Sequence, residues 1–376
     1  MRVLHLNAGN MYGGVETFLT TLVREGAATP GMRSQFAVCF DDRFSAELMD
    51  LGTPPHHLGE VKLSRPHTLV RARRALSDLL DQESIDVVVC HQPWTCVVFG
   101  GVVRAGGFPL VLWVHMAGDG THWLERLARR AAPDVAVCNS RFTAECAATW
   151  LPEAQIEYAY PPVTVSPVAL DKADRTALRH SLSTGPDDVV IVQVSRLEEL
   201  KGQHVLLDGL ARLRDVPDWT CWIVGGAQRP EDEDFLRRLH SLANMYGLES
   251  RVRFLGERHD VPAVLASADI YCQPNTAPEA FGLTFVEALL AGLPVVTSAM
   301  GGACEIVDES CGVLVPPRDA RTLAATLRPL IEDRALRLRL GAGGRGRASA
   351  LCAPEHQMRR IEQVLSRFVR VESIAG

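Results

Sequence analysis

Short, unbroken apolar runs, each followed by a stretch long enough for a helix, constrain this chain more than any other feature. RVLHLN (2–7), FAVCF (36–40), DVVVC (86–90), LVLWVH (110–115) and DVAVCN (134–139) recur in this way. Runs that are apolar throughout, rather than alternating, are strands covered on both faces, which β-α-β crossovers produce. The intervening VETFLTTLVR sets Val15, Phe18, Leu19, Leu22 and Val23 on one helical face. The series halts from Tyr160, Pro161 and Pro162 to Pro167, because adjacent prolines continue neither a helix nor a central strand. A second series then runs through VVIVQV (189–194), WTCWIVGG (219–226), VRFLG (252–256), DIYCQP (269–274), LPVVTS (293–298) and GVLVPP (312–317). The expected fold class is therefore α/β, with two doubly wound domains at 1–165 and 166–354. A last helix, about 355–376, carries Met358, Ile361, Val364, Leu365 and Phe368 at helical spacing and is able to pack on either domain, including back on the first. Domains of this kind bind ligands at the carboxyl ends of their strands, so the expected site is a cleft facing both sheets.

Composition removes several classes of function. With 376 residues, 47% of them hydrophobic, the chain can fill more than one core. Lys plus Arg is 39 against 45 Asp plus Glu, a formal charge of −6, which speaks against a nucleic-acid partner. The ten cysteines are scattered through apolar runs without a C-x-x-C pair, so they are expected as buried free thiols, neither a disulfide framework nor a metal site. MRVLHLNAGN lacks the apolar core of a secretory leader, and no run approaches the ~20 apolar residues that cross a bilayer. The expected location is cytoplasmic. The arginines Arg71, Arg73 and Arg74 read first as solvated surface, as do His56 and His57, with peripheral contact to an anionic membrane face as the lesser reading.

The chemistry concentrates in PNTAPEAFGLTFVEALLAGLP, 274–294. It follows a strand and opens a helix near Gly282, so the amides of Gly282, Leu283 and Thr284 are expected to be free at the positive end of the helix dipole, a geometry that binds phosphate. Glu279 precedes the helix and Glu287 lies more than a turn inside it, which suits one carboxylate beside a sugar and another on a hydroxyl pair.

This segment resembles the E-x7-E signature of the retaining glycosyltransferase family 4. SRLEELKG (195–202) is similar to that family's G-R-L-x-x-x-K-G, YGGVE (12–16) to its Gly-Gly loop, and GGACEIV (301–307) to its G-G-x-x-E-I-V. Ser195 and Cys304 depart from the usual residues but remain small, and Tyr160–Val163 lacks the frequent P-N-G-V. The resemblance implies the GT-B fold: an N-terminal Rossmann-like domain for the acceptor and a C-terminal one for the nucleotide sugar. It implies transfer of a hexose from a UDP- or GDP-sugar with retained configuration and without a metal or other cofactor. Arg196 and Lys201 would hold the diphosphate, Glu279 the hydroxyls of the transferred sugar and Glu287 the ribose. The amides of Gly13, Gly14 and Gly282–Thr284, beside Phe281, would line the donor. His115 would meet the donor sugar near the anomeric carbon. His91, Asn139, Ser140 and Arg141 are expected on the acceptor side, where the acceptor is a saccharide, a lipid-linked sugar or a small molecule. Glu16 reads as a first-turn helix acid.

Two other strings carry less. Gly341, Gly343 and Gly346 spell G-x-G-x-x-G but follow a helical segment rather than a strand, and Asp232 and Asp234 sit in the polar opening of a helix. The remaining alternatives are a nucleotide-sugar epimerase or phosphorylase of the same fold, and an inactive transferase-like binding protein.

Overall fold

The computed structural model describes residues 1–164, 171–227 and 230–369. They form two compact units, one made of Met1–Val163 with the segment from Cys352 onward, the other of Thr164–Leu351. The boundary expected at 165/166, with Ser166 and Pro167, lies outside the described residues.

The first unit holds seven strands: β1 (Arg2–Asn7), β2 (Arg33–Val38), β3 (His56–His57), β4 (Val87–His91), β5 (Leu110–Val114), β6 (Val135–Cys138) and β7 (Gln155–Tyr158). They pair in parallel in the order β3-β2-β1-β4-β5-β6-β7. The strand alternation feeds two cores. Leu4, Leu6, Val88 and Cys90 face one layer of helices, and Val3, Val87, Val89, Val111 and Trp113 face the other with Phe18 and Leu19. The last helix, Pro354–Ser366, completes the second of these layers, with Met358, Ile361, Val364 and Leu365 wholly buried in it. Arg360 and Arg367 anchor it to Glu157 on β7 at 2.8 Å each.

The second unit holds β8 (Val189–Val194), β9 (Trp219–Val224), β10 (Val252–Gly256), β11 (Ile270–Gln273), β12 (Val295–Ser298) and β13 (Gly312–Val315). They pair in the order β10-β9-β8-β11-β12-β13, also in parallel. In each sheet the order reverses beside the first strand, at β1/β4 and β8/β11, which is where doubly wound sheets bind ligands.

Several expectations need correction. Two edge strands, β3 and β7, were not legible, because one is two residues long and the other, QIEY, is mostly polar and half-exposed. Arg73 is not simply solvated: its guanidinium donates to the carbonyls of Val98 at 2.7 Å and Val97 at 3.3 Å on the neighbouring helix. The thiols are free, but Cys304 is exposed and Cys146 half-buried. Gly341 and Gly343 lie inside the helix Arg334–Cys352, where a Cβ would collide with the carbonyl oxygens of Gly292 and Ser310, so close packing accounts for these glycines.

Candidate active site

In the second unit the segments after β8 and β11 meet. Lys201 Nζ lies 2.5 Å from Glu279 Oε2, and the two side chains retain only 14% and 17% of their exposure. Asn275 Nδ2 donates to the same oxygen at 3.2 Å, and Gln273 Nε2 donates to Asn275 Oδ1 at 2.9 Å. The loop Arg196–Lys201 is held from below by two wholly buried glutamines. Gln203 Nε2 donates to the Arg196 carbonyl at 2.9 Å, and Gln193 Nε2 to the Lys201 carbonyl at 2.8 Å. Gly202, at φ +72°, ends this loop where a Cβ would collide with the Pro274 carbonyl oxygen. Arg196 remains partly exposed, with its guanidinium 2.9 Å from Glu198.

The helix Leu283–Leu290 starts at Gly282, φ +106°, with no side-chain cap. Its first-turn amides are therefore left by the helix for another acceptor. Thr284 Oγ1 sits 2.9 Å from the Tyr271 hydroxyl, and Phe281 is 2% exposed, so its ring belongs to the core and only its backbone borders the loop. Glu287 is half-buried on the same helix and forms no hydrogen bond or ion pair among the described residues. The apolar packing around it raises its carboxyl to about 7. Gly301 pairs with Glu279 as an isolated parallel bridge, and Gly302 N donates to the Glu279 carbonyl at 2.8 Å, fixing the backbone beneath that carboxylate.

In the first unit, His91 ends β4 and His115 follows β5. His91 Nδ1 lies 2.9 Å from His115 Nε2, and His91 Nε2 lies 2.9 Å from Nδ1 of His5 in β1. His5 and His91 have no exposed surface, whereas His115 is half-buried. Burial holds the imidazoles neutral: His5 and His115 fall to about 3 and His91 well below its usual range, with its two neighbours adding to the effect. The buried position of His91 corrects the expectation of an acceptor contact there, since a ligand reaches it only through His115. Nothing in the strand pattern singled out His5.

The other residues of this unit divide in the same way. Glu16 is 6% exposed and grips the glycine loop, accepting from Gly13 N and Asn7 Nδ2 at 2.9 Å each. The Gly13 amide is thus engaged within the protein and does not line a phosphate, while Gly14 stays exposed. Ser140 is buried as the cap of the helix Arg141–Trp150, accepting from Thr143 N at 2.9 Å, and Asn139 Oδ1 accepts from the Thr143 hydroxyl at 2.9 Å. The Ser140 side chain is thus taken up by the helix cap, and of Asn139, 7% exposed, the Oδ1 is engaged there. Arg141 is exposed, 5.5 Å from the Tyr158 ring. Among the described residues no cluster of three or more His, Cys, Asp or Glu is arranged to hold a metal ion, and no helix is long and apolar enough to cross a membrane.

Two family models match almost end to end: Glycosyltransferase Family 4 over residues 12–166 and Glycosyl transferases group 1 over residues 174–347. The GDP-mannose-dependent alpha-(1-6)-phosphatidylinositol monomannoside mannosyltransferase of Mycolicibacterium smegmatis is 31% identical over 77% of this chain and 77% of its own length. The chain belongs to glycosyltransferase family 4. The phosphatidyl-myo-inositol mannosyltransferase of Mycobacterium leprae is 37% identical over 39% of this glycosyltransferase, a match spanning 38% of that relative's own length. Among solved structures, Anabaena HepE in complex with UDP and glucose is similar at a TM-score of 0.86 and 25% identity, covering 98% of the glycosyltransferase and 100% of HepE. The two parallel sheets of this glycosyltransferase are those of the GT-B fold.

Proposed function

We propose that the protein transfers a hexose from a UDP- or GDP-sugar to an acceptor hydroxyl with retention of anomeric configuration, the second unit binding the donor and the first the acceptor. The observation that carries this reading is the Lys201–Glu279 pair set beside the uncapped helix whose Glu287 has no partner. A nucleoside diphosphate sugar complements each part. The diphosphate takes the first-turn amides, Arg196 and Lys201; hydroxyls of the sugar donate to Glu279; the ribose hydroxyls donate to Glu287. At ~4 Å and an effective dielectric of about 20, each cation–phosphate contact is worth up to about 4 kcal/mol before desolvation, and only the part that grows as the bond breaks speeds the reaction.

In the proposed step the acceptor oxygen bonds to the anomeric carbon on the face from which the diphosphate leaves. The departing phosphate oxygen takes the acceptor proton, so no side chain acts as base. Lys201, released from Glu279 to the diphosphate, offsets the charge that develops there. UDP and GDP donors are both supported by relatives, since HepE is known with UDP and glucose and the mycolicibacterial relative is GDP-mannose-dependent. The lipid-linked acceptor named for that relative supports a glycolipid or glycan hydroxyl here. Exposed Leu63 and Val70 beside exposed Arg71 and Arg74 support peripheral contact with an anionic membrane face.

Thermal-shift titration with UDP, GDP and ADP, with and without chelator, tests the donor site. A chelator-insensitive rise with UDP or GDP, lost in Glu287→Ala and Lys201→Ala, is the expected result. No rise with either diphosphate overturns the reading.

A further inference from the structure

The three histidines His5, His91 and His115 lie on neighbouring strands and climb them in regular steps. His5 pairs in register with Val89, two residues before His91, and His91 pairs with Trp113, two residues before His115. Side chains two apart share a face, so each ring stands diagonally above the last and the row ends at the carboxyl edge of the sheet. Both nitrogen-to-nitrogen distances are 2.9 Å, within hydrogen-bond reach. Phe18 and Trp113 pack against the upper rings and Phe36 stacks on His5, holding the planes in place.

Neutral imidazole has one donor and one acceptor nitrogen, so a row of three can be protonated in only two self-consistent ways. The buried end decides between them. His5 Nε2 is fully buried with no partner, and its stacked neighbour Phe36 covers the ring face rather than the edge that Nε2 occupies. If the bonds ran inward from His115, His5 would bury an unpaired N–H; if they run outward, it buries only a lone pair. Folded proteins leave a buried N–H without an acceptor more rarely than a buried acceptor without a donor, which favours the outward direction. Outward polarity makes His5 Nδ1–H donate to His91 Nε2 and His91 Nδ1–H donate to His115 Nε2. The proton of His115 is then on Nδ1, and His115 is the one ring of the row that keeps exposed surface.

We infer that His5 and His91 are positioning residues which lock His115 in the Nδ1–H tautomer, so that it meets a bound sugar as a hydrogen-bond donor to a hydroxyl oxygen and not as a base. The sugar partner rests on the glycosyltransferase reading above; the tautomer does not. Imidazole in water favours the other tautomer, so the row imposes a state that a lone histidine at 115 would not keep.

Long-range ¹H–¹⁵N correlation of the full chain labelled at histidine, near neutral pH, reads the tautomers directly, with signals assigned through His5→Gln, His91→Leu and His115→Asn. The wild type is expected to show all three rings as Nδ1–H. His91→Leu is expected to return His115 towards the Nε2–H form and to lower turnover about tenfold or more while nucleotide binding persists. His115 found as Nε2–H, as a rapid tautomer average or as imidazolium in the wild type overturns the inference, and that spectrum needs no variant to fold. If no donor supports transfer yet the spectrum is as expected, the row stands and the sugar partner falls. If transfer proceeds with His115 in the Nε2–H form, the row falls and the enzyme reading stands.

Discussion

At the scale of single residues, the site depends on where a carboxylate is allowed to lose its water. Glu287 is raised to about 7 by burial, so in the folded chain it holds its proton through a range where the unfolded chain, at an ordinary 4.5, has released it. In the proposed complex ribose hydroxyls donate to the charged form, and nucleoside diphosphate affinity is therefore expected to weaken as pH falls through about 7. Calorimetric titration across pH 5.5–8.5 checks this, and Glu287→Gln should bind weakly and keep only the pH dependence of the ligand's own terminal phosphate, which titrates at about 6. Lys201→Ala removes the Glu279 partner and, in the proposed complex, a diphosphate contact; turnover is expected to fall by at least about 100-fold, measured by release of nucleoside diphosphate. Arg196, Lys201, Glu279 and Glu287 stood out in the sequence by motif spacing, and of these the structure brings Lys201 and Glu279 into contact. His5, Gln193 and Gln203 did not stand out. Each sits within or beside an apolar run, and their significance depends on which atoms of distant segments they meet.

At the scale of elements, backbone turns decide whether those side chains meet. Gly202 is left-handed and pressed against the Pro274 carbonyl. Gly202→Ala is expected to lose about 2 kcal/mol or more from backbone strain alone, and to separate Lys201 from Glu279. Thermal unfolding should show a lower melting temperature, and the activity loss should exceed what the remaining folded fraction explains. Ser140→Ala, which removes only a helix cap, should cost about 1 kcal/mol and leave turnover unchanged. An acceptor-lining serine would do the reverse. Helix N-termini and strand ends were readable from apolar period and glycine placement; their caps were less so. The capture of the Gly13 amide by Glu16 illustrates why, since an acid three residues into a helix suits the dipole and a reciprocal bond equally well until its rotamer is seen.

At the scale of the whole molecule, the most deeply buried groups of the two units respond to acid in opposite senses, while His204 of the second unit, lowered by desolvation, sides with the first. The buried histidines of the first unit stay neutral, with His5 and His115 near 3 against an ordinary 6.5, so acid charges them preferentially in the unfolded state and stability falls as pH drops below about 6.5. The second unit carries Glu287, whose contribution has the opposite sign: its share of stability is present at low pH and is lost as pH rises from about 4.5 through 7. Hydrogen exchange between pH 4.5 and 7 should therefore show protection of β1, β4 and β5 decreasing more steeply on acidification than that of β8 and β11, where Glu287 offsets His204. The two-sheet architecture was visible in the spacing of apolar runs alone. The destination of the last helix was not, because its Met358, Ile361, Val364 and Leu365 stripe fits either unit, and the Glu157 anchor lies on a strand the sequence did not reveal.

That helix makes the first unit discontinuous, with the second inserted into it, and Val163 N donates to the Cys352 carbonyl at 3.1 Å where the chain leaves and returns. On the ribosome, the part made first therefore finishes folding last, since its core waits for Met358 through Leu365 to emerge, while the later part can complete itself beforehand. Exchange of the second unit between relatives accordingly requires two splices, near 163 and 352. A single crossover would give the amino-terminal sheet a foreign lid.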